Sequence, residues 1–273
     1  MKFIKKNMST ILLLLIFFLG LSLLLYPTIS EYWNSFHQSR AISSYVESLS
    51  DIDEEEYDKL WDEAVSYNNT LLTKSNRWFL TDDEESHYNS ILDVTGSGIM
   101  GYIYIPSIRV TLPIYHGTSD EILQVAVGQL PGSSFPVGGE STHCVISGHR
   151  GLPSAKLFTD IDQLTEGDIF TLNVLNQTLT YEVDQIRIVE PDDVSDLEIV
   201  EGEDYCTLVT CTPYGINTHR LLVRGKRIEN LTDDRQVPFD ALQMDEEIVA
   251  IFIALPILLI LFIWVMVHYR KKR

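Results

Sequence analysis

The chain has 273 residues, 45% of them hydrophobic, with 39 acidic against 20 basic side chains and a formal charge of −19. Every acidic residue but only 13 of the basic ones falls between two long apolar runs, leaving that intervening segment with a charge of −26. Such a field repels nucleic acid and anionic headgroups, which argues against both as partners, and attracts basic peptide segments and free lysine amines.

Residues 1–7 form a basic tail containing Lys2, Lys5 and Lys6, and no charge follows from Met8 to Leu25. At 1.5 Å per residue that run is about 27 Å long, enough to cross a bilayer, and we assign an anchor to 8–27. A secretory signal shares this order of charge and apolarity. However, no small-x-small cleavage site follows Leu25, where the chain reads YPTISEYWN, so the anchor is expected to stay uncleaved.

Residues 28–99 read as an extracytoplasmic helical region. Trp33, Phe36, Tyr45 and Leu49 are widely spaced anchors on a first amphipathic stretch. Tyr57, Leu60, Trp61, Ala64 and Leu71 recur with helical spacing on a second, where Asp53 and Glu56 suit a capping box. The DIDEEE run from Asp51 is read as a solvated helix start favoured by the dipole. Lys74–Asp93 has no steady period and reads as a loop.

The pattern over residues 100–229 is that of strands. MGYIYIPSIRVTLPIYHG alternates and is rich in β-branched and aromatic residues, and SDEILQVAVGQL is a short helix candidate before the turn-rich PGSSFPVGG. Further strands are expected at Thr142–Ser147, Ile169–Val174, Leu179–Val189, Tyr205–Cys211 and Arg220–Ile228. Many short strands with few helices between them define a closed or nearly closed, mostly antiparallel barrel. A polar tether over 230–247 leads to a second apolar run at 248–267, followed at once by the basic tail HYRKKR at 268–273. With basic flanks outside both runs, the positive-inside rule places both termini in the cytoplasm and the domain between them outside.

Phosphate-loop, dinucleotide, HExxH and CxxC patterns are absent, so no cofactor or metal is expected. Chemistry must come from side chains. The three cysteines, Cys144, Cys206 and Cys211, are an odd number, so at least one thiol is unpaired. The commoner fate of a single cysteine is burial as a small hydrophobe, the reading given to Cys144 and Cys206. In TLVTCTPYGINTHRLLVRGKRI, Thr207, Val209 and Cys211 share a strand face, and Cys211 stands where the strand enters a loop holding Pro213, Gly215 and Asn217. Arg220 opens the returning strand, so a hairpin would bring thiol and guanidinium to one rim.

An ordinary thiol is only a few per cent ionised at pH 7, so a nucleophile needs a cation or a base beside it. Arg220 supplies fixed charge and donors for an oxyanion but no proton transfer near neutral pH. A histidine must do that. Within ISGHRGLPSAKLF, His149 follows a strand end and a glycine, a better setting for acid–base work than that of His37 or His87. The residue pattern alone leaves His219, His116 and His143 as alternatives.

TLVTC at Thr207–Cys211, Arg220 in the next strand and SGHRGLPSAKLF around His149 resemble the sortase family, specifically its class C, pilus-assembling members. The resemblance extends over nearly the whole chain. It implies an eight-stranded closed barrel with short helices, preceded by a helical region and flanked by two membrane helices. It further implies that Cys211 attacks the Thr–Gly carbonyl of an LPxTG-like pilin sorting signal, forming a thioacyl enzyme. His149 is then the proton donor to the leaving amine and acceptor from the incoming one, and Arg220 the residue that stabilises the oxyanion or orients the substrate. The incoming amine is usually a pilin lysine, with a cell-wall peptide as a final acceptor. A wall-anchoring housekeeping sortase, a secreted cysteine protease and a non-enzymatic scaffold are the alternatives.

One departure stands out. Many class C members carry an Asp-Pro-aromatic triplet in a lid over the cysteine, and no Asp-Pro pair occurs between Leu49 and Met100. Trp78 or Phe79, in a candidate lid over 74–93, is expected to plug the groove instead, with simple packing against the barrel as the alternative.

Overall fold

The computed structural model describes residues 8–230. The apolar run at 248–267, both basic tails and all but the first residue of the tether lie outside this range.

Helix α1 (Met8–Leu49) is continuous over 42 residues with Pro27 inside it, joining the anchor to the first amphipathic stretch. Among the described residues it is the one helix long and apolar enough to cross a membrane, and none of its most apolar window is buried. Full burial begins at Ile42 and continues at Tyr45 and Leu49, which lie on one helical face. The Tyr45 hydroxyl donates to Met100 O (3.0 Å) and accepts from Leu175 N (2.7 Å), which fixes this end of the helix to the barrel. Trp33 and Phe36, expected as anchors, are 64% and 42% exposed. At 100° per residue they point nearly opposite to Ile42, Tyr45 and Leu49, on the face of the helix turned away from the core.

Helix α2 (Glu54–Leu71) is capped by the Asp53 side chain, which accepts from Glu56 N at 2.9 Å. Ala64, Tyr67, Asn68 and Leu71 form its buried face, and Asn68 exchanges both of its amide hydrogen bonds with the backbone of Phe135. Phe135 in turn lies between Tyr67 (4.9 Å between centroids) and Tyr88 (5.3 Å). Each such fully buried aromatic contributes roughly 2–3 kcal/mol through lost apolar exposure. The stretch 74–93 is not simply a loop: it contains helix α3 (Asp82–Ser90), closed at its start by a reciprocal capping box between Thr81 and Glu84. This helix has nine residues and buries only Tyr88, so it has a cap signal but no period to read.

Eight strands follow, with a one-turn helix α4 (Asp120–Leu123) between the second and third. They are β1 (Ile99–Ile105), β2 (Val110–His116), β3 (Val127–Gln129), β4 (Thr142–Ser147), β5 (Ile169–Val174), β6 (Gln177–Val189), β7 (Asp204–Thr212) and β8 (His219–Ile228). They close into a barrel in the order β1-β2-β3-β4-β7-β8-β6-β5. Only β2–β3 and β4–β7 are parallel; the other ladders are antiparallel. The interior is filled from alternate positions, among them Ile103, Ile146, Phe170, Tyr181, Leu208 and Val223. β1 is buried on both faces at almost every position, which fits the packing of α1 on its outside.

Candidate active site

β7 lies between β4, its parallel neighbour, and β8, its antiparallel one. Alternation sends Cys206 and Leu208 into the barrel core and puts Val209 on the outside, in a second apolar cluster with Val145, Leu197, Leu222 and Trp78. Cys211 has the parity of Val209, so it stands on the outer face near the strand end, half-buried and unpaired. Its register partner is Arg220, the second residue of β8. The hairpin between them turns at Pro213, whose carbonyl accepts from Ile216 N and Asn217 N; the Thr212–Pro213 bond is cis. Among the described residues the Arg220 guanidinium bonds only to backbone carbonyls, those of His219 (3.2 Å) and Asn217 (3.5 Å). Most of its donor fork therefore remains available.

His149 arrives from the other side. β4 runs parallel to β7 up to the pair Ser147↔Val209, and the ladder is extended by Gly148 N donating to Val209 O at 3.0 Å. The buried Thr210 hydroxyl donates back to Gly148 O at 2.7 Å. These two bonds lock the residue before His149 to the residues before Cys211. Only glycine fits at 148: a Cβ there would lie 2.7 Å from the Phe158 ring and 2.9 Å from Val127. His149 is half-buried, its carbonyl accepts from Phe158 N at 3.1 Å, and no hydrogen bond engages its ring among the described residues. The structure thus gathers His149, Cys211 and Arg220 at one rim of the barrel.

The other histidines are engaged elsewhere. His143 is fully buried on β4, with Nδ1 2.9 Å from Glu198 O and Nε2 2.7 Å from Thr207 Oγ1. The carbonyl can only accept, so Nδ1 carries the proton and Nε2 accepts from the threonine hydroxyl. Burial pushes this imidazole down to about 4, with the Arg224 and Arg77 charges adding to the effect and the Glu198 hydrogen bond opposing it. His116 sits beneath α3, between the carbonyls of Gly98 and Ile91. His219 lies 3.3 Å from Glu190 on the surface, and His37 bonds back to its own helix at Trp33 O.

The segment before α3 crosses the same outer face. Arg77 is buried at 5% exposure and donates to Leu197 O (2.9 Å) and Glu198 (3.1 Å). Its charged head lies 4.4 Å over the Trp78 ring. The Arg77 carbonyl presses on Gly132, where a Cβ would approach it to 2.1 Å. Trp78 is half-buried against the cluster of Val209 and Leu222, residues flanking the Cys211–Arg220 pair along the strands, whereas Phe79 is 75% exposed. Nothing in the sequence pattern singled out Arg77, because a lone arginine in a polar stretch carries no burial signal. Arg150, beside His149, was equally unmarked. It pairs with Asp162, reaches Thr212 Oγ1 at 3.4 Å and lies over the Tyr214 ring, bracing the two loops that flank the rim.

A family profile for the sortase domain matches residues 103–228. Sortase D of Bacillus subtilis is 31% identical over 149 residues, 54% of this chain and 72% of that protein. The chain belongs to the sortase family, whose members are cysteine transpeptidases. Sortase C1 of Streptococcus agalactiae superposes with a TM-score of 0.69 at 54% identity, covering 70% of this chain and all of that one. Sortase C of Streptococcus pneumoniae gives 0.64 at 48%, covering 70% and 97%. Sortase C of Clostridium perfringens, solved with the C-terminal cell wall sorting motif, gives 0.62 at 46%, covering 70% and 99%. Within the family, this chain is of class C.

Proposed function

We propose that this transpeptidase cleaves an LPxTG-like sorting signal between Thr and Gly and joins the threonyl group to a pilin lysine, polymerising pili at the outer face of the membrane. In this reading the Cys211 thiolate attacks the Thr carbonyl carbon, and the oxyanion is met by the unoccupied donors of Arg220. Protonated His149 gives its proton to the glycine nitrogen as the C–N bond breaks, leaving a thioester on Cys211. Neutral His149 then takes a proton from the lysine amine as it attacks the thioester. An amide forms and the thiolate is released. The observation that carries the proposal is the rim itself, with Cys211 opposite Arg220 on one hairpin and the residue before His149 tied to Val209 and Thr210. The acidic charge of the domain favours approach of a lysine-bearing partner. A cell-wall peptide is the proposed last acceptor.

We also place the N-terminal apolar helix and the apolar run at 248–267 across the membrane, with both termini cytoplasmic, the barrel as the catalytic domain and 230–247 as its tether. Trp78, held by Arg77 beside Val209, is proposed as the aromatic that covers the approach to Cys211 in place of an Asp-Pro-aromatic triplet; Phe79 is exposed and lacks this contact. Incubating the protein with candidate pilins and resolving covalent ladders by mass spectrometry tests the function. The expected result is an isopeptide-linked ladder that is lost with Cys211→Ala; release of the acyl group to water alone, with no amine-linked product, would sink it.

A further inference from the structure

The middle of α1, between its apolar run and the buried residues from Ile42 onward, faces the loop that leaves His149. Asn34 Nδ2 donates to Ser154 O at 2.7 Å, and the Glu31 carboxylate accepts from Lys156 N. One turn further on, Gln38 Nε2 donates to Val125 O at 2.7 Å. Glu31, Asn34 and Gln38 follow helical spacing, so one polar stripe of the helix makes all three contacts. The loop is closed at its neck by Phe158 N donating to His149 O (3.1 Å) and by Gly151 N donating to Thr159 Oγ1 (3.1 Å). Buried Ala155 and Leu157 hold one side of it to the core. The backbone at Ser154 and Lys156 is held by α1.

We infer that Glu31 and Asn34 are positioning residues for the transfer reaction: by clamping the tip of the loop over 150–157 to the membrane-directed helix, they fix His149 at its neck relative to Cys211. This rests on the reading of His149 as the proton-transfer residue. A general acid acts only within hydrogen-bond reach of the proton's destination, and small displacements are costly in rate. Neither Glu31 nor Asn34 lies on the strand face that carries Cys211, Val209 and Leu222, so the expected effect of losing them falls on the rate and not on substrate affinity. Loosening the clamp therefore lowers kcat and leaves KM in place.

The test uses the full chain in lipid nanodiscs and a quenched fluorescent peptide containing Leu-Pro-Glu-Thr-Gly with a lysine peptide as acceptor. Replacing Glu31 and Asn34 together by Ala is expected to lower kcat about tenfold, the scale set by a sub-ångström to ångström loss of alignment, with KM within about twofold. Glu31→Gln, which keeps an acceptor for the Lys156 amide, is expected to restore most of the rate relative to Glu31→Ala. Hydrogen exchange of the 154–157 amides is expected to quicken in the double variant while that of β7 is unchanged. Wild-type kcat in the double variant, a change in KM alone, or unaltered exchange in the loop overturns the inference. Failure of the underlying reading shows separately, as wild-type turnover by His149→Ala.

Discussion

His143 and His149 lie on β4 and just beyond its end, yet they are held in opposite ways. Both ring nitrogens of His143 are bonded and the residue is sealed from solvent; the His149 ring is half-exposed and makes no hydrogen bond among the described residues. The difference lies in what surrounds each position. Around His143 the Glu198 carbonyl, Thr207 and the buried Arg77 complete a polar cluster that leaves neither ring nitrogen free. At His149 the strand has ended, the backbone is pinned from both sides, and the ring is left without a hydrogen-bond partner among the described residues. A locked imidazole is a structural strut; an unlocked one on a locked backbone can move protons.

The contrast can be broken most directly by exchanging losses. His149→Ala is expected to reduce peptide turnover by at least about a thousandfold while leaving the thermal midpoint within a few degrees. His143→Ala should do the reverse, costing about 2–3 kcal/mol in denaturant unfolding by stranding the Glu198 carbonyl and Thr207 hydroxyl, with turnover per folded molecule retained. A stable but inactive His143→Ala protein would erase the distinction. Arg220→Lys keeps the charge but not the planar donor fork, and about a hundredfold loss of kcat is expected; near-normal transfer would remove Arg220 from the oxyanion role.

The pH dependence of stability sharpens the same comparison. Because burial lowers the folded His143 imidazole to about 4 from an ordinary value near 6.5, the unfolded chain binds more protons between those limits. Its contribution is complete above about pH 6.5 and is lost as pH falls toward 4, by about 2–3 kcal/mol. The unfolding free energies of wild type and His143→Asn should therefore converge or cross as pH is lowered through that window. A constant difference would mean that the histidine is not held neutral by the fold. The smallest effect concerns access: Trp78→Ala should speed alkylation of Cys211 a few-fold and cost about 1–2 kcal/mol, whereas Phe79→Ala, altering an exposed ring, should do neither. Equal labelling rates in both variants and wild type would end the case for an aromatic cover.

The barrel and its rim were legible because their signals are local and repeated. Alternation marked the strands, and the spacing from Cys211 through Pro213 and Gly215 to Arg220 foretold a hairpin that the register now pairs residue for residue. Class C membership was carried by the same segments. What the sequence hid depends on contacts between distant segments. Arg77 is buried where the 190–203 connection brings Leu197 O and Glu198 to its head, and Trp33 and Phe36 are apolar side chains on the helix face turned away from the core. Glu31 and Asn34 meet Lys156 and Ser154 across more than a hundred residues of chain, which no pattern along the helix could reveal. Helix α3 stayed hidden for a different reason, since a capping box without a buried face looks like any acidic loop.

The two remaining thiols have a practical consequence. Cys144 and Cys206 face each other as register partners on β4 and β7, 2% and 0% exposed, and burial pushes the Cys206 thiol well above its ordinary range. Both are out of reach of a water-borne electrophile while the barrel stays closed. A thiol reagent should therefore count one equivalent per native molecule, at Cys211, and three per unfolded one, so that the protein carries its own titre of the folded fraction.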